Sequence, residues 1–102
     1  MAQEKVSVVA TVKAKAGMEA AVKSAIEAVI APTRSEPGCI NYDLHQSVED
    51  PTVFMLYENW RSKKDLDEHL AMPYLKDLIG KAEELVREPI DIALYQMLSK
   101  PA

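Results

Sequence analysis

Two histidines carry the side chains best suited to chemistry in this chain. His45 and His69 lie on different predicted elements, and their spacing matches no short metal-ligand motif, so we predict no metal site. His69 shares the apolar face of a predicted helix with Leu66 and Leu70, which points it toward the sheet. A histidine in an apolar cavity can serve as a general base. The alternative is a structural core histidine bonded to Glu58.

Aromatic residues on the predicted strands and helices are candidates for a ligand site. Trp60 is the only tryptophan and closes a predicted strand, where it is either a core anchor or a cavity wall. Tyr57 and Tyr74 are interpreted as packing residues whose hydroxyls lie near a polar rim. His45 alternates with Tyr42 along its strand, so it is either solvated or part of a contact with a second copy.

The composition indicates one globular domain spanning residues 1–102. Hydrophobic residues make up 48% of the chain, and 12 basic residues against 16 acidic ones give a net charge of -4. That charge argues against nucleic acid or an anionic membrane as the main partner. We find no signal peptide and no run near the ~20 apolar residues of a membrane span, so we expect a cytoplasmic protein. Cys39 is the only cysteine and is interpreted as a small buried residue.

Four segments of alternating side chains predict strands. They are Val6–Ala14, Ile40–Val48, Val53–Trp60 and Ile90–Leu98. The turn at residues 49–52 is short, so the second and third strands form an antiparallel hairpin. Alternation places Ile40 on the same face of the second strand as Tyr42 and Leu44.

Helical spacing predicts helices between these strands. The first begins near Met18, and Pro32 should kink it or end it early. Ser62 and Asp65 resemble a capping box before a short second helix. A third helix begins at Pro73, which suits a first turn, and continues to Val86.

The resulting order, β-α-β-β-α-β with a divided second helical segment, predicts an α+β, ferredoxin-like fold with a four-stranded antiparallel sheet. The helices would cover one face of that sheet. The third strand is apolar on both sides, with Val53, Met55 and Tyr57 on one and Phe54, Leu56 and Trp60 on the other. Because monomers rarely expose a large apolar patch, we predict a homodimer with a barrel-like pair of facing sheets.

Four segments together form a combination that is fairly specific for one family. They are Glu36-Pro37-Gly38-Cys39-Ile40-Asn41-Tyr42, Asp50-Pro51, Glu58-Asn59-Trp60-Arg61-Ser62 and His69-Leu70-Ala71-Met72-Pro73. The chain resembles the antibiotic biosynthesis monooxygenase (ABM) domain family over nearly its whole length. The resemblance implies a dimeric α+β barrel. For the quinol monooxygenase members it implies oxygenation of polycyclic or naphthoquinol-type aromatics without metal, flavin or haem.

The chemistry implied by this resemblance gives the candidate residues roles. Dioxygen is a triplet, so a closed-shell substrate must first lose a hydroxyl proton and become an electron-rich anion. His69 would be the base, and Asn59 or Asn41 would steady the anion. Trp60, Tyr57 and Tyr74 would form the aromatic wall of a substrate pocket from which water is excluded. By strand alternation Asn59 and Trp60 point to opposite faces, so they share a pocket only where the strand ends or bulges.

Two other functions stay open on the sequence alone. One is a non-catalytic barrel that binds a hydrophobic small molecule, and the other is an isomerase-like activity on a phosphorylated sugar-derived signal, which the family also contains. Haem-degrading relatives use a strand-one Asn, a Trp near the position of His69 and a later iron-ligating His. This chain has Val and Ala in its first strand and Ile79 further along. We therefore expect no cofactor, and as partners an aromatic substrate, O2 and a second copy.

Overall fold

The structure is a computed structural model that describes residues 4–100. Its elements are β1 (Val6–Lys13), α1 (Glu19–Arg34), β2 (Cys39–Gln46), β3 (Val53–Trp60), α2 (Lys63–Leu70), α3 (Pro73–Leu85) and β4 (Asp91–Tyr95). The strands form one antiparallel sheet in the order β2-β3-β1-β4. The predicted ferredoxin-like α+β fold is confirmed, with the second helical segment divided into α2 and α3.

The strand bounds agree with the sequence pattern except where pairing ends or shifts. β3 has the predicted bounds, and β1 stops at Lys13, one residue early, with Ala14 in an isolated bridge to Val86. β4 pairs with β1 only as far as Tyr95, three residues short of the predicted end. The alternation of inward and outward side chains continues beyond these points, but a segment is a strand only where its backbone is hydrogen-bonded to a neighbouring strand.

A β-bulge at the start of β2 overturns one sequence-based assignment. The register shifts between Cys39 and Asn41, which lie opposite Trp60 and Asn59. Ile40 is the extra residue, and its side chain is 57% exposed. The prediction that Ile40 shares the buried face of Tyr42 is therefore wrong, because a bulge moves one residue out of the alternation.

Each helix begins or ends for an identifiable local reason. α1 continues two residues beyond Pro32, so this proline in the last turn does not end the helix. The predicted cap of α2 is confirmed: Ser62 Oγ accepts the Asp65 backbone N–H at 3.2 Å and donates to the Asp65 carboxylate at 2.8 Å. Pro73 occupies the first turn of α3, where its missing N–H has no partner to lose.

One apolar core lies between the sheet and the three helices. Its buried residues include Val8, Ala10, Val12, Tyr42, Phe54, Leu56, Trp60, Val22, Ile26, Leu66, Leu75 and Leu78. α3 packs against α1. On the helix side of β4, Ile92 and Leu94 are 40% and 43% exposed. The helical layer is thus open along β4.

The opposite, outward face of the sheet is mixed in character. Half-buried Val9 and Met55 and exposed Tyr57 and Tyr95 lie there. Polar side chains share this face and include Ser7, Asn41, Asp43, His45, Asn59 and Asp91. As predicted, this face is not cleanly polar. It nevertheless carries more polar side chains than its aromatic residues alone suggested. Within residues 4–100, no helix is both long enough and apolar enough to cross a bilayer.

Candidate functional site

His69 is buried at the junction of α2 with the sheet, where it is 1% exposed. The Ser62 cap fixes the start of α2, and the i, i+3, i+4 spacing then turns Leu66, His69 and Leu70 to one face. The sequence-based prediction that His69 points toward the sheet agrees with this burial.

A hydrogen bond to Glu36 fixes the orientation of the His69 ring. His69 Nδ1 lies 2.9 Å from Glu36 Oε2, and both side chains are nearly excluded from solvent. Tyr74 donates its hydroxyl proton to the same carboxylate oxygen. The suggestion that Glu58 is the partner of His69 is wrong, because a loop residue distant in sequence occupies that position. This contact leaves Nε2 as the ring nitrogen available to a bound molecule.

Gly38 explains how the loop before β2 reaches α2. A Cβ atom built on Gly38 would lie 2.3 Å from Cβ of Asp65, so only glycine permits this approach. The Gly38 carbonyl accepts the backbone N–H of Arg61 at 2.8 Å, which fixes the loop beside the start of α2. Glu36, two residues earlier, is thereby brought to His69.

Two aromatic rings enclose His69 from other sides. The Trp60 ring lies 4.5 Å from it, centroid to centroid, at an interplanar angle of 31°, and Tyr42 meets it edge-on at 5.5 Å. The Trp60 indole Nε1 donates to Glu58 Oε1 at 2.9 Å. Trp60 is therefore a fully buried support behind His69, and it does not itself line the cavity described next.

An apolar cavity lies between the sheet and the helices, beside His69. Its volume is about 50 Å³, measured by the positions that the centre of a water molecule can take. Tyr42, Glu58 and His69 are the only polar side chains among its lining residues in the described chain; the rest are aliphatic. Ile79, Ile90 and Ile92 are shared with a surface groove between α3 and β4, which marks the direction in which the cavity opens.

Burial shifts the pKa values of His69 and Glu58, two of the three ionisable groups that line the cavity, in opposite directions. It lowers the pKa of His69, and the hydrogen bond and charge of Glu36 only partly oppose this, so the neutral imidazole is favoured. Burial raises the pKa of Glu58 to about 7, despite the Trp60 hydrogen bond, and the nearby charge of Glu36 adds to the rise. The cavity therefore holds a neutral base and an acid that is half protonated near neutral pH.

The neighbouring hydroxyl and thiol groups remain protonated at neutral pH. Burial raises the pKa of Tyr42 well above its ordinary range and that of Tyr74 to about 12. Burial also raises the pKa of Cys39 to about 11, so its thiol is a poor nucleophile. Within residues 4–100, no three His, Cys, Asp or Glu side chains are close enough together to hold a metal ion.

The other predicted site residues lie outside the cavity. Asn59 donates to Asn41 Oδ1 at 2.9 Å and accepts from Ser7 on the outward face of the sheet, opposite to His69. Tyr57 is exposed on that face, and His45 is exposed on β2 with Nδ1 3.1 Å from the Asp43 carbonyl oxygen. The bulge in β2 does not bring Asn59 to the side of Trp60, so the two residues keep their opposite directions.

Sequence reasoning missed Glu36 and considered Glu58 only as a possible structural partner of His69. Glu58 occupies an inward position of β3 between Leu56 and Trp60. Acidic residues are rarely buried, so a glutamate among the inward-facing apolar residues of a strand was the signal that the sequence offered. Glu36 lies in a loop, and no local pattern relates it to a histidine 33 positions later.

Comparisons with known proteins identify relatives along almost the whole chain. The family model described as antibiotic biosynthesis monooxygenase matches residues 5–81. The protein named "Putative monooxygenase Rv0793" of Mycobacterium tuberculosis is 32% identical over 95 residues, covering 93% of both chains. The "Uncharacterized protein sll1783" of Synechocystis is 29% identical over 96 residues, and the match spans 65% of that protein's length.

Solved structures of relatives share the fold closely. The structure of Rv0793 superposes with a TM-score of 0.91 at 29% identity, over 97% of this chain and 100% of that one. PA3566 from Pseudomonas aeruginosa gives a TM-score of 0.90 at 28% identity, over 97% and 99%. With a family match across most of its length and the predicted sheet topology, this chain belongs to the antibiotic biosynthesis monooxygenase family.

Proposed function

We propose that this protein is a cofactor-independent monooxygenase that oxidises a hydroxylated, quinol-like aromatic molecule with O2. The observation that carries the proposal is the buried His69 in an otherwise apolar cavity, with its Nδ1 fixed by Glu36. Membership of a monooxygenase family supports the reaction class.

His69 acts as the general base in this proposal. With Nδ1–H donated to Glu36, the lone pair of Nε2 is free to take a hydroxyl proton from the substrate. The imidazolium that forms is stabilised by the adjacent carboxylate, which also accepts from Tyr74. The substrate anion, held away from water, can pass one electron to O2, which begins the oxygenation.

The cavity needs to widen before such a substrate can bind. A volume of about 50 Å³ holds a few water molecules, whereas ligand pockets usually measure roughly 300–1,000 Å³. The exposed side chains of Ile92 and Leu94 and the groove between α3 and β4 mark the place where the layers separate. Because Asn59 lies on the other face of the sheet, the proposal assigns it no step inside the cavity.

The homodimer also belongs to this proposal. Tyr57 and Tyr95 are exposed on the outward face, beside half-buried Val9 and Met55, and a second copy packed on this face would cover them. Sedimentation velocity at micromolar concentration tests this directly. A single species of the 11.3 kDa chain mass contradicts the dimer.

Oxygen uptake with reduced naphthoquinones tests the enzyme function. We expect His69→Ala to lower kcat/KM by about 10²-fold or more, because positioned general base catalysis contributes that much. The matched control is His45→Ala, which removes the exposed histidine and should leave the rate unchanged when its sedimentation coefficient equals that of wild type. Tight binding of naphthoquinones without turnover indicates the non-catalytic binding module instead. Equal rates in wild type and His69→Ala exclude His69 as the base.

A further inference from the structure

We infer that Glu58 is the general acid of the cavity, the group that protonates the leaving oxygen when the O–O bond of a peroxide intermediate breaks. This inference rests on the proposed monooxygenase function and adds a second proton-transfer residue to it. Glu58 and His69 reach the same cavity from different layers, one from β3 and the other from α2. A flat aromatic molecule between the layers would contact both.

The contacts of Glu58 orient one carboxyl oxygen and leave the other for the cavity. Oε1 accepts the Trp60 indole N–H at 2.9 Å. No donor in residues 4–100 forms a hydrogen bond with Oε2, although Glu58 is only 4% exposed. Since Trp60 also stacks on His69, one rigid side chain sets the positions of both groups. This is the geometry expected of a positioned acid and base.

No cation balances Glu58, so its carboxyl group holds a proton up to a higher pH than an exposed glutamate does. Val8 and Tyr42 flank it on the neighbouring strands, and both are buried. The ionisable groups around it are Tyr42, Cys39, Glu36 and His69. None of these is a fixed positive charge, and within the described residues no lysine or arginine pairs with Glu58. A neutral carboxylic acid can donate a hydrogen bond into the cavity, which a carboxylate cannot.

The reaction of 1,4-dihydroxynaphthalene illustrates why an acid is needed. His69 takes the C1 hydroxyl proton, the anion gives one electron to O2, and the two radicals combine at C2. The imidazolium returns its proton to the terminal oxygen, which yields a C2 hydroperoxide. His69 then removes the C2 proton, whose bonding electrons form C2=O as the O–O bond breaks. Glu58 donates a proton to the departing hydroxide, and the imidazolium restores the proton to Glu58. The immediate products are 4-hydroxy-1,2-naphthoquinone and one water, and transfer of the C4 hydroxyl proton to the C2 oxygen gives the tautomer 2-hydroxy-1,4-naphthoquinone.

Without the acid, the same intermediate has another route. Loss of the C4 hydroxyl proton expels the whole hydroperoxide group from C2, which gives 1,4-naphthoquinone and hydrogen peroxide. That route oxidises the substrate by two electrons and leaves the O–O bond intact. The ratio of hydroxynaphthoquinone to hydrogen peroxide therefore reports whether an acid serves the distal oxygen. A purely structural role for Glu58 would change the rate and leave this ratio unaltered.

The test measures both products per O2 consumed for wild type and Glu58→Gln, after subtracting autoxidation of the free quinol. We expect Glu58→Gln to lower the rate of hydroxynaphthoquinone formation by about 10²-fold, with hydrogen peroxide becoming the main product of O2. Asp77→Asn, which removes an exposed carboxylate of α3 outside the cavity and the outward sheet face, is the matched control and should retain the wild-type ratio. In wild type, the hydrogen peroxide fraction should rise as the pH increases through neutrality.

The outcomes separate this inference from the proposed function. Wild type without O2 uptake above autoxidation overturns both. An active Glu58→Gln with an unchanged product ratio overturns the role of Glu58 and leaves the monooxygenase standing. If Glu58→Gln does not fold, a wild-type product ratio that stays constant from pH 5 to pH 9 overturns the inference just as directly.

Discussion

The buried Glu58 carboxyl should make the stability of this protein depend on pH in a direction opposite to that of a salt-bridged acid. Its pKa rises from 4.5 to about 7 on folding, chiefly through burial. Between these values the native state keeps a proton that the unfolded chain has released. The Glu58 contribution to the free energy of unfolding therefore falls as the pH rises from 4.5 to 7, and this contribution changes little outside that range.

The size of this effect follows from the shift. One pKa unit corresponds to about 1.4 kcal/mol, so the Glu58 contribution changes by about 2–3 kcal/mol between pH 5 and pH 8. Glu58→Gln removes the titration, while its amide oxygen can still accept the Trp60 indole N–H. Relative to wild type, the variant should gain about 2–3 kcal/mol on going from pH 5 to pH 8.

Urea unfolding followed by the fluorescence of Trp60 measures this difference at each pH. Protein concentration is held constant, because association would also change the apparent stability. His69 acts in the opposite sense: its lowered pKa reduces stability as the pH falls below about 6.5. Comparing the variant with wild type at the same pH cancels that contribution. A difference in stability that is equal at pH 5 and pH 8 would refute the reasoning.

Three further predictions concern the residues that position the site. Gly38→Ala should destabilise the protein by about 1–3 kcal/mol or more, because its Cβ overlaps Asp65. Gly80→Ala, in an open part of α3, should instead stabilise the protein by about 0.5–1 kcal/mol, measured by the same urea unfolding. Equal changes in stability for Gly38→Ala and Gly80→Ala would contradict the close approach of Gly38 to Asp65. Ser62→Ala should cost about 1 kcal/mol through loss of the α2 cap, whereas an unchanged midpoint would show that the cap is dispensable. Glu36→Gln should lower the pKa of His69 further, because the Glu36 carboxylate raises it. NMR titration of the imidazole signals measures this pKa, and the His45→Gln variant assigns the signals to the two histidines. An upward shift of the His69 pKa would contradict the pairing with Glu36.

Local pattern was sufficient to predict most of the elements and the sheet topology. β3 has its predicted bounds, and the cap at Ser62 and the start of α3 at Pro73 were read from a few neighbouring residues. Such features depend on contacts within one or two turns, so the sequence contains all the information that they need. The bulge that exposes Ile40 was not predictable, because it depends on the register with β3.

The sequence by itself determined the family, the fold and the placement of His69 on a buried helix face. Only the tertiary structure decided which acid meets that histidine and which residues share its cavity. Glu36 reaches His69 because Gly38 lets two segments touch that are far apart in sequence, and Asn59 is excluded because the sheet separates it from the helices. Periodicity specifies the direction of a side chain from its own element, whereas a pocket is defined by what the other elements place opposite it.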